Sequence, residues 1–204
     1  MNWLAHLVLS DRSPSFRVGN LLPDLMTRQE LESVPEAFQQ GIECHRRIDV
    51  FTDVHPVVRR SSRRLSPPHR RFAPILIDIF YDHFLSLHWQ RYSPQSIETF
   101  VSEVYEAFDV SRAELPAATN AILRRMREEN WLGAYGEIAG IRMTLERVAR
   151  RLRRPVQLGD AAEELEKKHA ELEADFDEFF PQLRAHIAAF RVSSDSPSST
   201  PAYL

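Results

Sequence analysis

The chain has 204 residues, a formal net charge of -3 and one cysteine. That length suits a single domain able to bury a core of its own, and the slight acidity argues against a nucleic-acid binder. Cys44 alone cannot form an internal disulfide and fits a reducing cytosol, and no apolar run approaches the roughly 18 residues of a membrane span.

The opening MNWLAHLVLSDR has no basic n-region and no small-residue cleavage site, so we expect no signal peptide and a cytoplasmic protein. Residues 2 to 10 read as a short apolar helix holding His6. Asp11 to Arg17 reads as a turn-like loop. Val18 to Met26, VGNLLPDLM, reads as a loop or short broken helix around Asp24, because Gly19, Asn20 and Pro23 interrupt it. Pro35 opens a helix that reaches about Phe51, with His45, Asp49 and Asp53 on one stripe at four-residue spacing. A break near Thr52 to Pro56 precedes a basic helix that ends at Pro67 and Pro68.

The longest apolar helix is expected from about His69 to Arg91, with Pro74 in its first turn or at a kink. Within it ILIDIFYDHFLSLHW is apolar nearly all round, which marks a buried helix. Asp78 and Asp82 lie one turn apart there, beside His83. Buried carboxylates need compensation, and a divalent cation is the most economical candidate.

Ser93-Pro94 is expected to cap a helix to about Phe108, and further helices run from Pro116 to Glu129 and on to about Arg151. Asp160 is expected to cap the last helix, which runs to about Phe190 and is kinked or divided at Pro181. From about Val192 to residue 204 the Ser- and Pro-rich tail is expected to be disordered. Apolar residues recur at three and four, never at two, so the chain reads as all-α: one compact multi-helix bundle over residues 1–191.

His6, Asp24, His45, Asp49, Asp78, Asp82 and His83 all fall in apolar or amphipathic stretches of the first half. Bundles build metal sites from inward-facing carboxylates and histidines at such spacing. Mixed imidazole and carboxylate donors suit Mn, Fe or Zn better than Ca. Each residue also has a plain explanation: a satisfied core histidine, or an aspartate paired with an arginine. Six arginines, Arg59, Arg60, Arg63, Arg64, Arg70 and Arg71, fall within thirteen residues. They read as a solvated face or as a docking patch for an acidic partner. No nucleophile elbow or Gly-rich phosphate loop is present. The residues alone reach an all-helical metal hydrolase of unspecified substrate.

NWLAHLVL, GNLLPDLM, HRRIDVFTD and APILIDIFYDHFLSLHW, in this order and spacing, resemble the acyl carrier protein phosphodiesterases. FDEFFPQL in the acidic C-terminal helix extends the likeness more loosely. The resemblance implies a fold distantly similar to the HD-domain metal phosphohydrolases. It also implies hydrolysis of the phosphodiester joining 4′-phosphopantetheine to a serine of acyl carrier protein. Manganese is the metal it implies, with Mg2+ or Fe2+ as substitutes, and an acidic carrier protein gives the arginine run a partner. The adjacent pair here is Asp82-His83, a departure from the usual HD order.

The expected metal ligands are Asp24, His45, Asp78 and Asp82, with His6 or His83 added. Asp49 is expected to orient or deprotonate the attacking water, and Arg46 or Arg47 to hold the phosphate. Two alternatives stand beside this reading. One is a phosphohydrolase acting on a nucleotide or another small phosphodiester. The other is a non-catalytic helical module that binds an acidic protein.

Overall fold

The computed structural model describes residues 1–152 and 156–195. Every regular element among them is helical: α1 (Trp3–Val8), α2 (Pro14–Gly19), α3 (Leu22–Leu25), α4 (Arg28–Leu31), α5 (Gln39–Val54), α6 (Pro56–Arg64), α7 (Pro67–Arg70), α8 (Ala73–Leu87), α9 (Ile97–Ser111), α10 (Ala117–Glu128), α11 (Ile138–Ala149), α12 (Ala162–Lys167) and α13 (His169–Asp195). The all-α expectation is met. No described helix is long and apolar enough to cross a membrane.

Helix α8 is the axis of the bundle. Leu76, Ile77, Phe80, Tyr81, Phe84 and Leu85 are all sealed from water, as the all-round apolar pattern requires. Pro74 sits in its first turn, where a missing N–H leaves no bond unmade. Around it pack α1, α6, α11 and α13.

A second contact sets the site: α2 crosses α5 with backbone against backbone. A Cβ on Gly19 would lie 2.4 Å from the Phe38 carbonyl oxygen, and one on Gly41 would lie 2.2 Å from that of Phe16. Only glycine permits this approach. It puts Asn20, next to Gly19, against His45, one turn after Gly41.

Several boundaries differ from expectation, each for a local reason. The Asp11–Arg17 stretch is not all loop, because Ser13 Oγ accepts from Phe16 N and Pro14 opens α2. Helix α4 was not anticipated; Thr27 and Glu30 form a reciprocal capping box around it. Ser93 is not a helix cap: its Oγ accepts from Gln95 N in a turn, and Ser96 caps α9 by accepting from Thr99 N. Asp160 lies in a 3-10 turn, and the C-terminal helical region divides at Lys168 instead of at Pro181. Pro181 is exposed within α13. Phe176, Phe179, Phe180, Leu183 and Ile187 are buried on both sides of it, so packing carries the helix through the missing hydrogen bond. Helix α13 continues to Asp195, past the expected boundary near Val192; residues 196–204 lie outside the described residues.

Asn130 has φ of 45° and ends α10. The Trp131 N–H returns to the Met126 carbonyl and the Asn130 N–H to that of Arg127, the paired bonds of a Schellman turn. This turn delivers Trp131 onto Trp3, with ring centroids 5.6 Å apart and planes 9° apart. The indole of Trp3 is thereby fixed at the edge of the site.

Candidate active site

The site is built from α1, α3, α5 and α8. His6 from α1 and His45 from α5 stack with ring centroids 4.2 Å apart. Asn20 holds both. Its amide nitrogen donates to the His6 carbonyl and to Ser10 Oγ, so its Oδ1 is left to accept from His6 Nδ1 at 3.0 Å. Its carbonyl accepts from His45 Nδ1 at 2.8 Å. With both Nδ1 atoms so engaged, both Nε2 atoms face the carboxylate of Asp49, at 3.2 Å for His6 and 3.0 Å for His45, and His6 Nε2 also lies 3.0 Å from the Met1 carbonyl oxygen. Ligand atoms of His6, His45 and Asp49 all lie within 4.8 Å of one another.

This donor set fits a divalent transition ion. Two imidazole nitrogens and a carboxylate converge, and each imidazole is oriented through its other nitrogen, as in metal-binding histidines. The imidazoles are nearly sealed, at 0% and 5% side-chain exposure, while Asp49 is 40% exposed. The histidines are thus buried behind Asp49, and of the three only the Asp49 carboxylate lines the adjoining cavity.

Beside the cluster is a cavity of about 280 Å³, lined by Asp49 but not by the two imidazoles. Asp24, Asp49, Asp53, Asp78 and Arg151 give its polar side, and Trp3, Ile75, Ile79 and Val148 its apolar side. Asp24 accepts from the Trp3 indole N–H at 2.8 Å through Oδ2, which turns its Oδ1 toward His45 Nε2 at 3.8 Å. Asp78 lies across the cavity, joined to Asp49 through the Met1 amino group, at 3.1 Å and 3.6 Å respectively. A larger hollow of about 970 Å³ near Glu146, Arg150 and Asp160 contains no histidine, so size does not locate the chemistry.

The charges are mutually set. Burial works against charge on both His45 and Asp49. The hydrogen bond and charge of Asp49 outweigh it, raising the His45 pKa, while bonds from His45 and His6 hold the Asp49 carboxyl well below the usual range. Both nitrogens of His45 face acceptors, the Asn20 carbonyl and the Asp49 carboxylate, which favours its protonated form; a metal ion at Nε2 would compete with that proton. Burial raises the Asp78 carboxyl, against the pull of the Met1 ammonium.

The structure separates the remaining candidates from this cluster. Asp82 does not line the cavity: its two oxygens accept from Leu4 N at 2.7 Å and Ala5 N at 3.1 Å. It caps α1 from a distance, supplying the acceptor that Asn2 does not. Burial pushes its carboxyl up to about 8, against those two N–H bonds. His83 donates from Nδ1 to the Tyr135 carbonyl at 2.7 Å and lies edge-on to His169, so it belongs to the α8–α13 contact.

Arg46 is exposed on α5 and is not part of the cavity wall. Arg47 pairs with Glu43 and covers the Phe190 ring. In the arginine run, Arg60 and Arg64 clamp buried Asp175, and Arg60 also reaches Glu178. Arg70 donates to the carbonyls of Arg63 and Leu65, and Arg71 covers Phe72. Arg59, Arg63, Arg70 and Arg71 remain exposed and form no ion pair among the described residues.

Sequence reasoning gave no role to Asn20 or Arg151. Asn20 carried a signal, a polar side chain within an apolar run; Arg151 carried none.

An all-helical domain in which two imidazoles meet an aspartate at the edge of an acidic cavity has donors of the kind that fit a divalent ion. The particular family comes from comparison. The profile of the acyl carrier protein phosphodiesterases matches residues 1–183. Acyl carrier protein phosphodiesterase of Photorhabdus laumondii is 33% identical over 184 residues, covering 90% of this chain and 93% of its own. The protein of that name from Escherichia coli O157:H7 is 36% identical over 189 residues, covering 92% and 98%, and that of Enterobacter sp. is 34% identical over 184 residues, covering 90% and 95%. The chain belongs to the acyl carrier protein phosphodiesterase family, a family of enzymes. No solved structure matches it.

Proposed function

We propose that this enzyme hydrolyses the phosphodiester between 4′-phosphopantetheine and a serine of acyl carrier protein, using a divalent ion held by His6, His45 and Asp49. The observation that carries the reading is the convergence of those three donors beside a cavity that Asp49 lines, in a chain of this family. Asp24 and Asp78 border the same space and complete the coordination or position water. An ion bound there would polarise the phosphoryl oxygen and acidify a water molecule. In the reaction a water oxygen forms a bond to phosphorus while the bond from phosphorus to the serine oxygen breaks. The serine leaves protonated, giving apo-carrier protein and free 4′-phosphopantetheine.

Asp78 is our choice for the group that takes the water proton. Burial raises its pKa, whereas Asp49 is held strongly acidic by two imidazoles and is a poor base. Ile75, Ile79, Val148 and Trp3 offer an apolar wall to the alkyl part of the arm. Arg59, Arg63, Arg70 and Arg71 are the cations left for an acidic carrier protein. A cytoplasmic setting and a distant HD-like relationship belong to the same proposal, since histidines and aspartates from separate helices meet at one place.

The test uses the purified protein, holo-carrier protein and Mn2+, with mass spectrometry of the carrier. Loss of the phosphopantetheine group is the expected result. No loss with Mn2+, Mg2+ or Fe2+ overturns the reaction.

A further inference from the structure

Arg151 follows the end of α11 and lines the cavity that holds Asp24, Asp49, Asp53 and Asp78. Its guanidinium carbon lies 5.6 Å from the centroid of the Trp3 ring. The Trp3 indole N–H is bound to Asp24 and its ring is stacked on Trp131. The surface beneath Arg151 is therefore fixed from two sides. Beside four carboxylates this guanidinium nonetheless forms no ion pair among the described residues.

An anionic phosphodiester entering such a cavity meets repulsion from four aspartates. A guanidinium over an aromatic ring, with no ion pair among the described residues, counters that repulsion and can bind two phosphoryl oxygens at once. The arginines expected from the sequence to hold phosphate lie elsewhere: Arg46 is exposed off the cavity wall and Arg47 is paired with Glu43.

We propose that Arg151 is the phosphate-binding residue of this cavity, holding the non-bridging oxygens of the substrate phosphodiester against the apolar side of the site. The substrate half of this statement rests on the reaction proposed above; the anion site does not.

Two measurements separate them. Calorimetric titration with inorganic phosphate reads the anion site directly. We expect binding to the unmodified protein, weakened at least tenfold in Arg151→Ala and less in Arg151→Lys. Steady-state hydrolysis of holo-carrier protein reads the substrate role. There we expect kcat/KM to fall by about 100-fold in Arg151→Ala, the scale of losing charge-assisted bonds. Arg151→Lys and added guanidinium ion should each restore part of it. Melting temperature should stay unchanged in both variants, since Arg151 is exposed and forms no ion pair among the described residues. Phosphate affinity or kcat/KM in Arg151→Ala within twofold of the unmodified protein overturns the assignment. Phosphate binding that depends on Arg151, without hydrolysis of holo-carrier protein, keeps the anion site and overturns the reaction.

Discussion

Asp49 receives both imidazoles and faces the cavity, so its removal should do two different things. Asp49→Asn keeps the shape but loses the charge that both histidines face. We expect Mn2+ affinity and kcat/KM to fall at least about 100-fold, as for loss of a metal-ligating or closely supporting group. Paired titration and activity assays check this. The pH dependence has a definite sign. His45 binds its proton more tightly folded than unfolded, so its contribution is complete below its ordinary pKa of 6.5 and is lost as pH rises through the raised value. Asp82, raised to about 8, lowers stability in the same direction as it ionises. Calorimetry of the metal-free protein should therefore show Tm falling from pH 6 to pH 8, less steeply in His45→Gln. Saturating Mn2+ should flatten or reverse the slope, because a ligating imidazole must be neutral. Residue roles were partly legible in the sequence. Four-residue spacing correctly put His45 beside Asp49. The argument that buried charges in α8 need a cation failed for Asp82 and His83. The folded chain compensates them with backbone N–H groups of α1 and with the Tyr135 carbonyl, partners that no local pattern displays.

At the scale of elements, the α2–α5 crossing positions the site. Gly41→Ala would push a methyl into the Phe16 carbonyl. Because the obstacle is backbone, we expect about 3 kcal/mol of destabilisation, the upper range for overpacking. Denaturant unfolding measures it, and a change under about 1 kcal/mol would refute the close-contact account. The α6–α13 contact depends on Asp175, which is 1% exposed and receives Arg60, Arg64 and Ser61. Asp175→Ala should cost about 2 kcal/mol, below the usual figure for a broken buried pair because both arginines reach solvent. This is also why the arginine run misled: charge spacing identifies a basic face but not an acid 111 residues away in sequence. Helix existence was legible from the four-residue spacing in α5 and from the all-round apolar run in α8. Caps were less so: Ser93 was expected to cap α9, but its Oγ closes a turn on Gln95 N and Ser96 accepts from Thr99 N instead.

For the molecule as a whole, helices far apart in sequence enclose one acidic cavity, with Arg59, Arg63, Arg70 and Arg71 exposed in the segments leading into α8. If that surface steers an acidic carrier protein, kcat/KM should fall as salt rises from 50 to 500 mM. Arg59→Glu with Arg63→Glu should lower it further with little change in kcat. The all-α architecture was readable from pattern, and the family from its motifs. The cavity was not, because it arises where α1, α3, α5, α8 and the end of α11 meet.

The central claim is that His6, His45 and Asp49 hold a divalent ion. Electron paramagnetic resonance titration of Mn2+ into the unmodified protein and into His45→Ala tests it most directly. The account predicts one tightly bound ion per chain in the first and none in the second, with parallel loss of hydrolysis. Hydrolysis of holo-carrier protein by a chain that binds no ion, or undiminished Mn2+ binding in His45→Ala, would contradict it.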